Sequence, residues 1–354
     1  MMKVKLGDVC ERGSSNLKQS DVVDKQGDYP IYGAAGYIGN VDFYHQEKPY
    51  VAVVKDGAGI GRTTLCSAKS SVIGTMQYLL PKDNVLPEYL YYVVRHMHLE
   101  KYFTGATIPH IYFKDYKNEE FSLDSLNKQN EIVQTLAKIE KSIETRQIEI
   151  KLLDELIKAR FVEMFEGKYE IVKLGDVIKT TSGGTPAKAH SEYYENGTIP
   201  WLTSGEINAG VITTVKNFIT EEGMKNSSAK MIPENSVVIA MYGATAGVTG
   251  ITRINTTTNQ AVCCLLPNGM FVPEFLYYAV SSKKDWMISQ CQGGGQPNIS
   301  QGIIKKIDLI NPPLSLQNEF AAFVSQVDKS KVAVQKALDE AQTLFDSLMQ
   351  EYFG

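Results

Sequence analysis

Residues 126–165 have the sequence LNKQNEIVQTLAKIEKSIETRQIEIKLLDELIKARFVEMF, without a glycine or a proline. Its apolar residues recur in steps of four and three, which is the pattern of a helix that packs lengthwise against another helix. At 1.5 Å per residue such a helix would be about 60 Å long, and its narrow apolar stripe would need a partner. The stripe consists of Ile132, Leu136, Ile139, Ile143, Ile150, Leu153, Ile157 and Met164.

The other end of the chain supplies a second helix of the same kind. The motif QNE at residues 129–131 recurs at residues 317–319, and most stripe positions fall on apolar residues when 188 is added to their numbers. The first helix is therefore one half of an internal repeat, which has to be established before other motifs are interpreted. The second stripe consists of Phe320, Val324, Val327, Val334, Leu338, Ala341, Phe345, Leu348 and Tyr352.

The repeat covers nearly the whole chain. KLGDV occurs at residues 5–9 and 173–177, and EYLYY at residues 88–92 matches EFLYY at residues 274–278. Short β-branched and aromatic runs between glycine-rich turns predict strands, and the segments after Pro87 and Pro273 predict helices. We therefore predict an α+β fold with an internal pseudo-twofold repeat. Two mixed α/β domains, residues 1–125 and 167–313, are separated by long helices, residues 126–166 and 314–354, that form an antiparallel coiled coil.

Composition limits the possible classes of function. The 354 residues carry a net charge of −4, so a nucleic-acid partner would need positive surface from another subunit as well. Five cysteines without a C-x-x-C motif favour a reduced, cytoplasmic compartment. No apolar run approaches the ~20 residues that span a bilayer, and no apolar segment follows Lys3, so we expect neither a membrane span nor a signal peptide.

Motifs for catalysis are weak. GAGIG at residues 57–61 lacks the spacing of a dinucleotide loop and is better interpreted as a tight turn between strands. NPPL at residues 311–314 has leucine where an aminomethyltransferase motif has an aromatic residue, so we interpret it as a helix start. The histidines, His45, His96, His98, His110 and His190, have no spacing typical of a metal site. We expect no enzyme activity, cofactor or metal in this chain.

Polar and aromatic residues cluster around the glycine-rich turns of both domains. Arginine, asparagine and glutamine can pair bidentately with guanine and adenine edges. A solvated loop is the simpler interpretation for any one residue, but recurrence in both copies predicts base readout. Arg62 and Arg253 each follow such a turn, so we expect both on the DNA-facing side. The set is Tyr32, Tyr37, Lys55, Arg62, Thr107, His110 and Lys114 in the first domain and Ser204, Tyr242, Thr245, Arg253, Asn259, Gln260, Gln292, Gln296 and Asn298 in the second.

The order of these motifs, present twice, resembles the specificity subunit of Type I restriction–modification systems. The resemblance covers the whole chain and is carried by the KLGDV openings, the glycine-rich turns, the Leu-Tyr-Tyr helices and the QNE-led long helices. It implies that each domain is a target recognition domain reading one half of a bipartite double-stranded DNA sequence. It also implies that the antiparallel helices fix the gap between the half-sites.

The same resemblance implies the partners. Two DNA methyltransferase (modification) subunits would dock on the helices and domains and carry S-adenosylmethionine, and restriction subunits would add translocation and cleavage that use ATP and Mg. This chain departs from its own repeat at residues 124–127, which lack the proline pair of residues 312–313. The loop at residues 107–110 also differs from its counterpart at residues 295–298.

Two other classes of function remain open at this point. A two-headed coiled-coil scaffold could hold protein or glycan ligands without recognising DNA. A self-sufficient enzyme could have a site that the motifs do not reveal. A sequence-dependent gel shift with a partner methyltransferase would identify DNA recognition, and incubation of the isolated chain with S-adenosylmethionine and DNA would reveal methyl transfer.

Overall fold

The computed structural model describes residues 2–22, 25–105, 108–291 and 298–354. The contacts divide the chain into a first unit, Met1–Ile148 with Val334–Gly354, and a second unit, Glu149–Ala333. Each unit contains one mixed domain and one half of each long helix. The contacts therefore group the chain differently from the four consecutive segments that we predicted, because a helix half packs on the domain next to it.

The first domain places its glycine-rich turn between two strands of a small sheet. Its strands are β1 (Met2–Lys5), β2 (Cys10–Ser14), β3 (Tyr29–Gly33), β4 (Gly36–Val41), β5 (Tyr50–Val54), β6 (Thr63–Cys66), β7 (Ser71–Val72), β8 (Met76–Pro81) and β9 (Glu120–Leu123). Its helices are α1 (Leu6–Val9), α2 (Pro87–His96) and α3 (Phe113–Tyr116), and the long helix α4 (Leu126–Phe165) follows. The strand orders are β2-β8-β5-β6 and β4-β3-β7, while β1 pairs with β9.

The second domain repeats this plan with one more edge strand. Its strands are β10 (Ile171–Lys173), β11 (Thr180–Ser182), β12 (Ile199–Leu202), β13 (Val211–Ile212), β14 (Phe218–Ile219), β15 (Val237–Ala240), β16 (Thr249–Thr252), β17 (Thr257–Thr258), β18 (Val262–Leu265) and β19 (Asp308–Ile310). Its helices are α5 (Leu174–Val177), α6 (Glu221–Lys225), α7 (Pro273–Ser281), α8 (Lys284–Ser289) and α9 (Gln301–Lys305), followed by α10 (Leu314–Phe353). The strand orders are β11-β18-β15-β16-β13 and β14-β12-β17, while β10 pairs with β19.

The long helices occur where the apolar stripes predict them, and every residue of both stripes is buried or half-buried. In the first unit, Ile132 and Leu136 near the start of α4 share a core with Phe345 and Met349 near the end of α10. The second unit pairs the opposite ends, with Ile157 and Phe165 of α4 beside Phe320, Val324 and Val327 of α10. The helix halves are therefore antiparallel in each unit, as predicted.

A buried glutamine fixes the start of α4, and the sequence did not reveal its role. The Gln129 side chain is fully buried, and its oxygen accepts a hydrogen bond from the Leu86 N–H at 2.8 Å. Its amide nitrogen donates to the carbonyls of Asn84 at 3.0 Å and Asp124 at 2.9 Å. Because Leu86 immediately precedes α2, one side chain joins the first turn of α4 to the start of α2.

The second unit contains the same arrangement at the start of α10. The buried Gln317 accepts from the Val272 N–H at 2.8 Å, and Val272 immediately precedes α7. Its amide nitrogen donates to Pro312 at 2.9 Å and to Met270 at 3.3 Å. The glutamine of the repeated QNE motif is thus a structural clamp in both copies, since it satisfies backbone groups that would otherwise be unpaired in the core.

Candidate nucleic-acid interface

The glycine-rich turn of the first domain joins β5 to β6. Gly57 and Gly61 have φ angles of 91° and 80°, a left-handed conformation that favours glycine. Val54 closes the turn, because its N–H donates to the Arg62 carbonyl and its carbonyl accepts from the Gly61 N–H, both at 2.9 Å. The turn is therefore a rigid loop that presents Arg62, an exposed residue, at the end of the sheet.

The glycine-rich turn of the second domain, between β15 and β16, has the same backbone. Gly243 and Gly247 have φ angles of 74° and 78°. Ala240 closes this turn by donating to the Val248 carbonyl at 2.9 Å and accepting from the Gly247 N–H at 2.8 Å. Val248 consequently occupies the position of Arg62, so the two turns share their hydrogen bonds but not their side chains.

A second loop of the first domain pairs with the residues just before the turn. Asp56 and His110 form an isolated antiparallel bridge, and the Ile111 N–H donates to the Lys55 carbonyl at 3.0 Å. The Asp56 carboxylate also contacts Nδ1 of His110, and its other oxygen lies 4.0 Å from Nζ of Lys55. Three charged or titratable side chains are thus held together just before the glycine-rich turn.

The second domain has the corresponding bridge with uncharged side chains. Tyr242 pairs with Asn298 in an isolated antiparallel bridge, and the Ile299 N–H donates to the Met241 carbonyl at 2.8 Å. Met241 and Tyr242 therefore stand where the first domain has its lysine and aspartate, and Asn298 stands where it has its histidine. We call the turn with its bridge the loop frame of each domain.

The first-domain frame also gathers the predicted residues of the β3–β4 hairpin. The Arg62 guanidinium donates to the Ala34 carbonyl at 2.9 Å, which ties the glycine-rich turn to the hairpin turn. Tyr32 and Tyr37 lie on this hairpin with ring centroids 6.3 Å apart in an edge-to-face arrangement, and the Tyr37 side chain is 62% exposed. Arg62 and the two tyrosines are accordingly parts of one surface.

On the other side of the frame, an exposed tyrosine links His110 to Lys114. The His110 and Tyr112 ring centroids are 4.1 Å apart, and Nζ of Lys114 lies 5.1 Å from the Tyr112 ring centre. The structure thus brings together Tyr32, Tyr37, Lys55, Arg62, His110 and Lys114 through contacts within one loop cluster. Thr107 lies outside the described residues. Asp56 and Tyr112 belong to the cluster but were missed, because no motif marks either of them.

Several predicted residues of the second domain lie at neighbouring strand ends. The Asn259 N–H donates to the carbonyl of Leu202 at the end of β12, and the Thr245 hydroxyl lies 3.4 Å from the Tyr242 carbonyl. Gln292 and Gln296 lie outside the described residues. The residues placed at these strand ends are Ser204, Tyr242, Thr245, Asn259, Gln260 and Asn298.

Arg253 is separated from the rest of its predicted set. It follows β16, whereas Tyr242 follows β15, and these two strands are antiparallel. Arg253 therefore lies at the opposite end of the strand pair from the glycine-rich turn. Its guanidinium contacts the Glu274 carboxylate at 2.5 Å and the side-chain oxygen of Asn235. Arg253 therefore does not cluster at the glycine-rich turn as predicted, because β16 leads the chain away from that turn. Its place on the DNA-facing side stays a prediction.

Arg253 instead lines an open cleft of about 410 Å³ between the second domain and α10. The first unit has a similar cleft of about 500 Å³, to which α2 contributes Arg95. Four helix positions of the first cleft recur in the second at an offset of 188, although the two arginines come from unrelated positions. The matched pairs are Ala137 and Ser325, Glu140 and Asp328, Lys141 and Lys329, and Glu144 and Val332.

Ion pairing holds the arginine of the first cleft. Glu140 contacts Nη1 of Arg95 and accepts a hydrogen bond from the Tyr92 hydroxyl at 2.7 Å. Burial acts to lower the pKa of Arg95, but the Tyr91 hydroxyl and the Glu140 carboxylate outweigh burial and raise it. The guanidinium therefore stays charged at the rim of the cleft.

The described residues contain no group of three or more His, Cys, Asp and Glu side chains arranged to hold a metal ion. In the same part of the chain, no helix combines the length and the apolar character needed to cross a membrane.

Comparisons with known proteins identify the family. The model of the Type I restriction modification DNA specificity domain matches residues 1–153 and 166–341. The EcoR124I/EcoR124II specificity subunit of Escherichia coli is 28% identical over 169 residues, which are 46% of this chain and 41% of that protein. The MjaIX specificity subunit of Methanocaldococcus jannaschii is 23% identical over 301 residues, 77% of this chain and 69% of that protein. The first of these matches thus spans less than half of the relative.

Solved structures show the same fold. The S subunit of a Type I restriction–modification system from M. genitalium aligns with a TM-score of 0.65 at 17% identity, covering 100% of this chain and 96% of that one. A chain solved in work on complex assembly and conformational transition of the type I R-M system aligns with a TM-score of 0.60 at 15% identity, covering 99% and 97%. The match to the family model extends over both domains and most of the long helices, and the chain belongs to the family of Type I restriction–modification DNA specificity domains.

Proposed function

We propose that this chain is the DNA sequence-recognition subunit of a Type I restriction–modification complex, with each domain reading one half of a bipartite target. The observation that carries the proposal is the loop frame, which occurs twice with the same backbone hydrogen bonds and different side chains. Two domains that recognise different half-sites need the same backbone support with different side chains on it. A protein- or glycan-binding scaffold has no comparable support, since the relatives are specificity subunits.

The side chains of the frames suit base and phosphate contacts. Arg62 uses one N–H on the Ala34 carbonyl, which orients a guanidinium whose remaining donors match the O6 and N7 acceptors of guanine. Asn298 presents an amide of the kind that pairs with adenine. Lys114, whose Nζ lies over the Tyr112 ring, would contact a phosphate, and such a contact positions the duplex without reading sequence.

The long helices would set the spacing between the half-sites and dock two DNA methyltransferase subunits. The matched clefts support this part of the proposal, because two copies of one partner need two equivalent surfaces. In this scheme S-adenosylmethionine belongs to the modification subunits, and ATP and Mg belong to restriction subunits. The specificity subunit itself contributes binding and geometry.

Exchange of a whole domain tests the proposal. We would replace residues 1–125 with the same region of a relative that has a different target, and sequence the methylated sites of cells that express the modification subunits. One half of the methylated motif should change, and the other half should remain. The matched exchange of residues 167–313 should have the opposite effect. If both halves changed in either exchange, or neither did, the two domains would not be independent readers.

Charge reversal in the clefts tests the docking. Lys141 and Lys329 are exposed and occupy equivalent positions, so Lys141→Glu and Lys329→Glu should each weaken one of two binding events. Native mass spectrometry of the mixture should then show complexes with one modification subunit, and the double variant should show mainly the free chain. Lys225→Glu, an exposed position on α6, is the control. Full two-to-one assembly by the double variant would remove the clefts from the docking surface.

A further inference from the structure

Asp56 is an unexpected residue in a loop that, on the proposed function, faces DNA. A carboxylate repels phosphates, so it lowers affinity unless a base offers it a hydrogen-bond donor. Its side chain is 30% exposed, and the bridge to His110 and the nearby Lys55 fix its position. The glycine-rich turn begins at the next residue, which restricts the backbone further. This carboxylate is therefore held in one place with part of its surface open to a ligand.

We infer that Asp56 is a specificity-determining residue that accepts a hydrogen bond from the exocyclic amino group of a cytosine in the first half-site. This inference rests on the proposed function. An ionised carboxylate is only an acceptor, and cytosine presents only its N4 amino donor in the major groove. Adenine also has an amino group, but its N7 acceptor lies beside it and would face the second carboxylate oxygen. Guanine and thymine present acceptors, which the carboxylate disfavours.

The contact of Asp56 with His110 offers a competing explanation. The carboxylate could serve only to orient the imidazole, which would then be the residue that reads the base. The two explanations differ in what an amide would do at position 56. Asparagine can still accept from Nδ1 of His110, so it preserves the orientation of the ring, but it adds donors that a carboxylate lacks.

The test uses the assembled complex of this chain with its modification subunits. Binding is measured by competition with duplexes that differ at each position of the first half-site, and the methylated motif is sequenced in cells. For Asp56→Asn we expect the preference for cytosine at one position to fall by about 5- to 150-fold, the equivalent of roughly 1–3 kcal/mol. The second half-site should be unaffected. Asp83→Asn, the same change at an exposed position of the first domain outside the loop frame, is the matched control and should leave both half-sites unchanged.

Three results would overturn the inference. The first is a first half-site without a C·G pair. The second is an Asp56→Asn complex with unchanged preference at every position while His110→Ala changes one, which would make Asp56 a positioning residue. The third is a uniform loss of affinity over all sequences. Failure of the proposed function is distinguishable, because the exchange of residues 1–125 would then leave the first half-site unaltered whatever Asp56 does.

Discussion

The two domains place different chemistry on the same loop frame. In each, two glycines with positive φ shape a turn, and a bridge to a later loop braces it. The charges differ completely at the matched positions. The first domain has Lys55, Asp56 and His110 where the second has Met241, Tyr242 and Asn298. Because the supporting bonds are made by the backbone, the side chains that face outward can change without loss of the frame.

A second difference lies between the strands next to the frame. In the first domain, β3 and β4 are joined by the two-residue turn Ala34–Ala35. In the second, residues 203–217 separate β12 from β14 and contain a 3₁₀ helix, Ser204–Ala209, and the edge strand β13. Strand β13 pairs in parallel with β16. Much of the extra length of the second copy is therefore this loop. In the first domain the corresponding turn is short, and Arg62 donates to its Ala34 carbonyl.

The largest effect should come from a feature that the two units share. Replacing Gln129 with leucine leaves the Leu86 N–H and two backbone carbonyls without their partner, and each such buried group costs about 1–3 kcal/mol. We expect a loss of roughly 3–5 kcal/mol in the free energy of unfolding of the first unit. Gln317→Leu should produce a similar loss in the second unit. Urea unfolding combined with amide hydrogen exchange would assign each loss to its unit.

The neighbouring asparagine provides the control for this clamp. Asn130→Leu changes an exposed residue of the same motif and should alter stability by less than about 0.5 kcal/mol. The contrary results are that Gln129→Leu changes the free energy of unfolding as little as Asn130→Leu does, or that only one of the two glutamine substitutions is destabilising. Either result would mean that the matching hydrogen bonds do not stabilise the two units equally.

Glycine-to-alanine substitutions in the loop frames should destabilise the two units by different amounts. Alanine at Gly61 or Gly247 would have a positive φ, which costs about 1–2 kcal/mol. A Cβ at Gly61 would also approach the Glu100 backbone nitrogen to 2.7 Å. At Gly247 the nearest atom to a Cβ would be in the flexible Lys284 side chain, at 3.0 Å, and the nearest backbone atom would be the Lys284 oxygen, at 3.6 Å. We therefore expect Gly61→Ala to cost about 2–4 kcal/mol and Gly247→Ala about 1–2 kcal/mol in thermal unfolding.

Gly57→Ala is the reference for the strain alone, because a Cβ there would meet no atom within 4 Å although φ is 91°. Its cost should equal that of Gly247→Ala within error. Equal costs for Gly61→Ala and Gly57→Ala would mean that the segment around Glu100 moves aside without loss of stability. The close approach to Glu100 would then not make the first frame more rigid than the second.

The fold was largely predictable from the sequence, because it depends on periodic patterns that occur twice. The stripe of α4 and its copy at an offset of 188 identified both long helices, and the run at residues 50–54 became β5. The family resemblance was confirmed by the match to the specificity domain. Predictions from such patterns are reliable because each rests on many residues, so that an exception at one position does not change the pattern.

Single residues were less predictable, because their roles depend on contacts between distant segments. In sequence Gln129 resembles a surface residue of a charged helix, yet its side chain is buried and accepts a hydrogen bond from the Leu86 N–H. Arg253 is only six residues from Gly247 in sequence, but β16 carries it to the other end of the sheet. Asp56 is recognisable as part of the loop cluster only through its contact with His110, which is more than fifty positions away in sequence. The predicted base contacts remain predictions for the same reason, since no pattern specifies which loop side chain meets a base.

The smallest predicted effect concerns Glu206, in the loop that the second domain has in place of the Ala34–Ala35 turn. Its carboxylate accepts hydrogen bonds from the Thr203 N–H at 2.9 Å, the Thr203 hydroxyl at 2.7 Å and the Lys216 N–H at 2.7 Å. Partial burial acts to raise the pKa of Glu206, but these hydrogen bonds outweigh it and lower the pKa below its usual 4.5. The carboxylate thus holds both ends of the loop.

A lowered pKa in the folded state means that the ionised carboxylate stabilises the loop. This contribution is complete above the usual pKa of 4.5 and is lost as the pH falls through the lower folded value. Because the half-buried carboxylate still has contact with solvent, which screens its interactions, we expect Glu206→Gln to cost only about 0.5–1 kcal/mol at pH 7, and the difference from the unsubstituted chain should shrink below about pH 4.5. Urea unfolding of both proteins from pH 7 to pH 3.5, with Glu222→Gln on α6 as the exposed control, would measure it. A difference independent of pH would mean that the glutamine amide disturbs the loop by shape alone. The charge of Glu206 would then contribute nothing to the stability of the inserted loop.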